Sequence, residues 1–148
     1  LYACGGYTHL YPRRQLLPIT RSVDLAQKRL AEMPTGGKTP LADGLATALL
    51  TIAKLNKKDS ELEPILVLVT DGRANAVEEN GGDPVEAAIK MAEKIRKAKI
   101  TSVVIDTEND FIKLGVAKKV AQAMGASYYN LRQLSKEHIL RIVRNLGE

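Results

Sequence analysis

Residues 65–72 of the chain read ILVLVTDG, a continuous apolar run that ends in a threonine, an aspartate and a glycine. Apolar residues that follow one another without alternation are typical of a strand that is covered on both faces, as in a parallel sheet. The aspartate and glycine are common at the turn where such a strand ends. This stretch therefore predicts an α/β fold, and the neighbouring segments test that prediction.

On the N-terminal side of this stretch, the sequence predicts two helices. Ser22 can cap the first, and Thr39 can cap the second with Pro40 in the first helical position. Within the first twenty residues, residues 1–4 can be the end of a strand and residues 15–19 a short edge strand.

On the C-terminal side, helix and strand signals alternate. Asp83 and the proline after it predict a helix start, and the helical period places Ala88, Met91, Ile95 and Ala98 on the inner face of this helix. Residues 100–105 predict the next strand. Gly125 ends a further helix, residues 127–131 form a short strand, and Ser135 caps a last helix. An alternating order of this kind predicts a mainly parallel sheet.

The size and composition of the chain fit one domain over residues 1–148. Hydrophobic residues make up 45% of the 148 residues and charged residues 26%, as in ordinary globular domains. No apolar run approaches the roughly 20 residues of a membrane span. Cys4 is the single cysteine, which excludes an internal disulfide and favours a reducing compartment. We therefore expect a cytoplasmic protein that does not bind a membrane.

The net charge of +5 raises the question of nucleic-acid binding. The basic residues between Lys90 and Lys99 share their helix with Glu86 and Glu93, as on a solvated helix surface. Aromatic residues are only 4% of the chain, so side chains on which bases could stack are scarce. We expect no nucleic-acid partner.

Two aspartates follow predicted strands, and a threonine precedes a predicted helix. Ligands of parallel sheets bind beyond the carboxyl ends of the strands, where Asp71 and Asp106 lie. Carboxylate and hydroxyl oxygens, here those of Asp71 and Thr39, are the ligands that magnesium prefers. From the residues alone, however, Thr39 is more simply a helix cap and Asp71 part of a turn.

A phosphate-binding loop is a different interpretation of residues 36–39, which read GGKT. The full motif requires a glycine where this chain has Glu32, and it requires a preceding strand where this chain predicts a helix. The interpretation as a nucleotide site is therefore rejected.

Two longer strings carry a family resemblance. Residues 34–45, PTGGKTPLADGL, and residues 66–75, LVLVTDGRAN, strongly resemble the second and third motifs of von Willebrand factor type A (VWA) domains in magnesium-chelatase D-type and cobaltochelatase-like subunits. The resemblance covers roughly residues 16–146. It implies a Rossmann-like three-layer sandwich, in which helices cover both faces of a mainly parallel sheet.

The resemblance also implies a metal-ion-dependent adhesion site (MIDAS). In the family, one loop supplies a D-x-S-x-S motif, a second a threonine and a third an aspartate, and Thr39 and Asp71 match the last two. D-x-S-x-S does not occur in this sequence. We therefore expect the first strand and helix of the domain to be missing, and Mg²⁺ to bind weakly, because magnesium requires several oxygens in near-octahedral order.

The missing strand affects the sheet as well. In the family's strand order, 3-2-1-4-5-6, strand one lies beside the strand at residues 65–69. Its loss would leave an unpaired apolar edge, which folded proteins avoid. We expect the N-terminal residues, a second copy of the chain or a further segment to cover this edge, and an exposed strand would contradict that expectation.

The resemblance implies an adapter role and no reaction of the chain alone. Its partners would be an AAA+ ATPase chelatase subunit and a porphyrin-binding chelatase subunit, in a complex that inserts a metal ion into a tetrapyrrole. Two alternatives stay open. One is a metal-free VWA scaffold for protein contacts, and the other is a stand-alone enzyme that uses Asp71 and Asp106.

Overall fold

The computed structural model describes residues 3–5, 14–17, 22, 24, 25, 28, 31, 32, 41–72, 82–107 and 115–131. Strands and helices alternate within the three longer segments, as predicted. In chain order the elements are β1 (Ala3–Gly5), β2 (Arg14–Leu17), α1 (Leu41–Lys58), β3 (Ile65–Thr70), α2 (Pro84–Lys97), β4 (Thr101–Asp106), α3 (Val116–Met124) and β5 (Ser127–Asn130).

Strands β3, β4 and β5 form a parallel sheet in that order. Ile65 pairs with Thr101 at the start of β3, and the register continues without a break to its last residue. Val103 pairs with Ser127 where β5 joins the sheet. The predicted α/β fold with a parallel sheet is thus confirmed for these elements, while β1 and β2 form a separate antiparallel pair.

Local signals set the helix ends where the sequence predicts them. The backbone N–H of Val85 donates a hydrogen bond to Asp83 Oδ1 at 2.9 Å, so Asp83 caps α2. Ser22 Oγ likewise accepts a hydrogen bond from the N–H of Leu25 at 3.2 Å. Gly125 ends α3 with a φ of 66°, a left-handed conformation that favours glycine.

The hydrophobic core lies between the sheet and the three helices α1, α2 and α3. Val104 of β4 is fully buried in it, and Leu66 and Leu68 of β3 pack against it. Since side chains alternate along a strand, these residues lie on one face of the sheet. The largest buried helix side chains in this core are Leu45, Ile95, Val120 and Met124.

One prediction about the inner face of α2 is wrong. Ala88 and Ile95 are fully buried as predicted, but Ala98 is exposed and Ala92 is buried instead. The reason is that α2 ends at Lys97, so Ala98 is the residue that follows the last turn.

Strand β3 is an edge of the three-stranded sheet among the described residues. β4 pairs along one of its sides, and β1 and β2 pair with each other. Val67 and Val69 are 49% and 61% exposed. Within the described residues of one chain β3 is thus an exposed edge, which contradicts the expected cover by the N-terminal strands. Cover by a second copy or a further segment is not tested by these residues and stays a prediction.

Some predictions lie outside the described residues. They concern Thr39 and Pro40 before α1 and the last helix from Ser135. Among the residues that are described, no helix is long and apolar enough to cross a membrane.

Candidate functional site

The carboxyl ends of the three parallel strands bring polar residues to one side of the domain. Thr70, Asp106 and Asn130 are neighbours across β3, β4 and β5, because Thr70 pairs with Asp106 and Asp106 pairs with Asn130. Open parallel sheets bind their ligands beyond this end of the strands. It is therefore the candidate site of the described residues.

Asp71 follows β3 directly and is exposed. The residues on both sides of it are fixed by hydrogen bonds. The carbonyl oxygen of Thr70 accepts a hydrogen bond from the N–H of Thr107 at 2.9 Å, and Thr70 Oγ1 accepts one from the N–H of Gly72 at 3.1 Å. Gly72 has a φ of 73°, which a residue with a side chain rarely adopts. This turn presents the Asp71 carboxyl group at the strand ends.

Asp106 has a different environment. It is only 3% exposed, and its Oδ2 accepts a hydrogen bond from the hydroxyl of Tyr128 at 2.5 Å. Burial of a carboxyl group is costly unless hydrogen bonds replace those it made to water. Asp71 and Asp106 thus differ in exposure, and a stand-alone enzyme that uses both stays an alternative that the described residues do not test.

Sequence reasoning missed Tyr128. Its hydroxyl meets Asp106 across the sheet, because β5 pairs with β4 in a register that places Tyr128 opposite Val104. The sequence contains a weak signal for this contact. Tyr128 lies in a predicted strand, but only the register shows which of Tyr128 and Tyr129 shares a face with Asp106.

Of the two predicted metal ligands, the structure describes only Asp71, so the predicted metal site stays a prediction. Asp71 lies where the prediction placed it, and Thr39 lies outside the described residues. Among those that are described, no group of three or more His, Cys, Asp or Glu side chains could hold a metal ion. Asp71 offers a hard oxygen ligand of the kind that Mg²⁺ binds, and further oxygens would have to complete the coordination.

The basic surface of α2 carries mixed charge, as predicted. Lys90 Nζ lies 2.8 Å from Glu86 Oε1, and both side chains are more than half exposed. An exposed pair of this kind contributes at most about 1 kcal/mol to stability. It is typical of a solvated helix surface.

The fold and the site together define an α/β domain with polar residues at the carboxyl ends of its parallel strands. Similarity to known proteins narrows this class of domain. The chain is 39% identical over 133 residues to "Uncharacterized protein MJ0910" of Methanocaldococcus jannaschii. The matched residues cover 88% of this chain and 75% of that protein. The chain therefore belongs to the same family as this archaeal protein.

Named subunits of a known enzyme are also similar. The chain is 34% identical over 137 residues to the magnesium-chelatase 67 kDa subunit of Heliobacterium mobile and 36% identical over 135 residues to that of Chlorobaculum tepidum. The matches cover 88% and 84% of this chain but 20% and 22% of those subunits. The chain thus corresponds to about a fifth of each relative and is a chelatase-related domain, which confirms the resemblance at that level.

Two further comparisons gave no match. No protein-family model matches the chain. No solved structure matches it either.

Proposed function

We propose that the chain is a VWA-like interaction domain of a cytoplasmic, magnesium-chelatase-like complex. In such a complex an AAA+ ATPase subunit hydrolyses ATP while a metal ion is inserted into a tetrapyrrole on a porphyrin-binding subunit. The observation that carries the proposal is the similarity to magnesium-chelatase subunits over most of this chain. The chain would act as an adapter and would not catalyse the insertion itself.

Asp71 is the described residue best placed for a partner contact. It is exposed, it lies at the carboxyl ends of parallel strands, and hydrogen bonds hold the turn around it. In the proposed site Asp71 and Thr39 would hold Mg²⁺, which would supply a positive charge for a carboxylate of a partner. One desolvated contact of this kind can supply much of the binding free energy of an interface.

The test is a binding measurement between the purified chain and each of the two chelatase subunits from the same organism. Binding is measured by biolayer interferometry in the presence of Mg²⁺ and again with EDTA. The decisive variant is Asp71→Asn, and the matched control is Asp59→Asn. Asp59 is also exposed, but it lies between α1 and β3. Its Oδ1 accepts a local hydrogen bond from the backbone N–H of Glu61 at 3.0 Å.

We expect Mg²⁺-dependent binding to at least one subunit. Asp71→Asn should weaken it at least tenfold, or about 1.4 kcal/mol, and Asp59→Asn should leave it unchanged. Equal binding in EDTA and in Asp71→Asn would favour the metal-free scaffold instead. Failure to bind either subunit would contradict a role in a chelatase-like complex.

A further inference from the structure

Polar side chains occupy one face of the sheet near its carboxyl end, and Thr70, Asp106 and Tyr128 are among them. Thr70 and Asp106 are register partners, and Tyr128 pairs with Val104, two residues before Asp106. Because side chains alternate along a strand, Thr70, Asp106 and Tyr128 lie on the same face. Each strand of the parallel sheet thus contributes at least one polar group beside the candidate site.

Tyr128 links the outer strand to the central one through Asp106. Its hydroxyl donates the hydrogen bond to Asp106 Oδ2, while Asp106 is 3% exposed and Tyr128 is 37% exposed. The acceptor is therefore buried, and a loss of the donor would remove a hydrogen bond that water cannot readily replace. The bond restrains the side chain of the last residue of β4.

The backbone carries this restraint to Asp71. Thr107, which directly follows Asp106, donates its N–H to the carbonyl oxygen of Thr70 at 2.9 Å. Thr70 Oγ1 in turn accepts the N–H of Gly72 at 3.1 Å. Asp71 lies between Thr70 and Gly72, so its position depends on both hydrogen bonds.

We infer that Tyr128 is a positioning residue for Asp71. Its hydrogen bond fixes the end of β4, the end of β4 fixes Thr70, and Thr70 fixes the turn that presents the Asp71 carboxyl group. The consequence for partner binding rests on the proposed function. The consequence for the conformation of the turn around Asp71 is independent of the proposed function.

The first arm of the test measures the turn without any ligand. Amide hydrogen exchange is followed by NMR in the wild-type chain, in Tyr128→Phe and in the matched control Tyr129→Phe, whose tyrosine lies on the opposite face of β5. We expect Tyr128→Phe to speed exchange of the Gly72 and Thr107 amides at least tenfold. The Ala87 amide, which donates to the Asp83 carbonyl oxygen in α2, should change less than twofold.

A second pair of variants separates positioning from general stability. Asp106→Asn keeps an oxygen that can accept the Tyr128 hydroxyl, so it should retain slow exchange at Gly72 and Thr107. Asp106→Leu removes the acceptor and should behave like Tyr128→Phe. If Tyr128→Phe does not fold, this pair still decides the question.

The second arm measures Mg²⁺-dependent affinity for the AAA+ subunit. Tyr128→Phe should lower it threefold to tenfold, and Tyr129→Phe should not change it. Unchanged exchange at Gly72 and Thr107 in Tyr128→Phe would overturn the inference, and so would equally faster exchange at Ala87. If Asp71→Asn leaves the affinity unchanged, only the proposed function is overturned. The hydrogen-exchange measurement does not depend on partner binding, because it reports on the turn itself.

Discussion

Strands β3 and β4 have similar apolar sequences and pair along their whole length, yet their environments differ. In β4, Ser102, Val103 and Val104 are all buried, so side chains on both faces of that strand are covered. In β3, Val67 and Val69 are exposed while Leu66 and Leu68 face the core. Within one sheet, a continuous apolar run can therefore form a strand that is covered on both faces or a strand that is exposed on one face.

The two strands also differ in their position in the sheet. β4 lies between β3 and β5, whereas β3 has one described neighbour. Edge strands expose backbone groups and side chains that a central strand covers. The comparison predicts that the same substitution has very different effects in the two strands.

The largest effect is expected from a charge in the central strand. Val104→Asp would bury a carboxyl group without a partner, so we expect a loss of at least about 4 kcal/mol in the free energy of unfolding. A domain at the lower end of ordinary stability, about 5 kcal/mol, would then keep only about 1 kcal/mol. Urea unfolding followed by circular dichroism measures this.

The matched control is Val67→Asp, on the exposed face of β3. We expect it to change the free energy of unfolding by less than about 0.5 kcal/mol. A loss as large as that of Val104→Asp would show that Val67 is covered in solution and would break the comparison.

A smaller difference in the free energy of unfolding is expected between substitutions on the two faces of β3. Leu68→Ala removes a side chain that packs against the core, which should cost about 2 kcal/mol. Val69→Ala removes an exposed side chain and should cost less than about 0.5 kcal/mol. Thermal and urea unfolding of both variants measure the difference, and equal losses would contradict the one-sided packing of β3.

The smallest effect concerns association. A second copy of the chain is one of the three covers expected for this strand, and the oligomeric state tests it. The double substitution of Val67 and Val69 by lysine should then weaken dimer formation about tenfold, or about 1.4 kcal/mol. Sedimentation velocity over a range of concentrations measures this. A wild-type chain that stays monomeric throughout would exclude the second copy as the cover.

Local patterns predicted the elements of the fold better than its contacts. The cap at Asp83, the glycine that ends α3 and the apolar run of β3 each depend on a few adjacent residues. The exposure of Val67 and Val69 depends on what packs against that face of β3, and the run itself does not encode that. Ala98 was predicted as buried because the helical period continues past the residue where α2 ends.

In the candidate site, too, features that depend on adjacent residues were predictable and contacts between strands were not. Asp71 was predictable because it directly follows a strand and lies in a long family motif. The contact between Tyr128 and Asp106 was not, since it joins residues of different strands and follows from their register. Thr39 stays a prediction, because it lies outside the described residues.

The parallel register also has a consequence for the order of folding. Ile65 and Thr101 are 36 positions apart, and Val103 and Ser127 are 24 apart, so each strand pair closes a long segment of chain. The entropy of closing these two segments differs by only about 0.4 kcal/mol, since it grows slowly with length. Segment length therefore changes the relative closure rate about twofold at most. Which strand pair forms first then depends mainly on how early α2 and α3 acquire their helical structure.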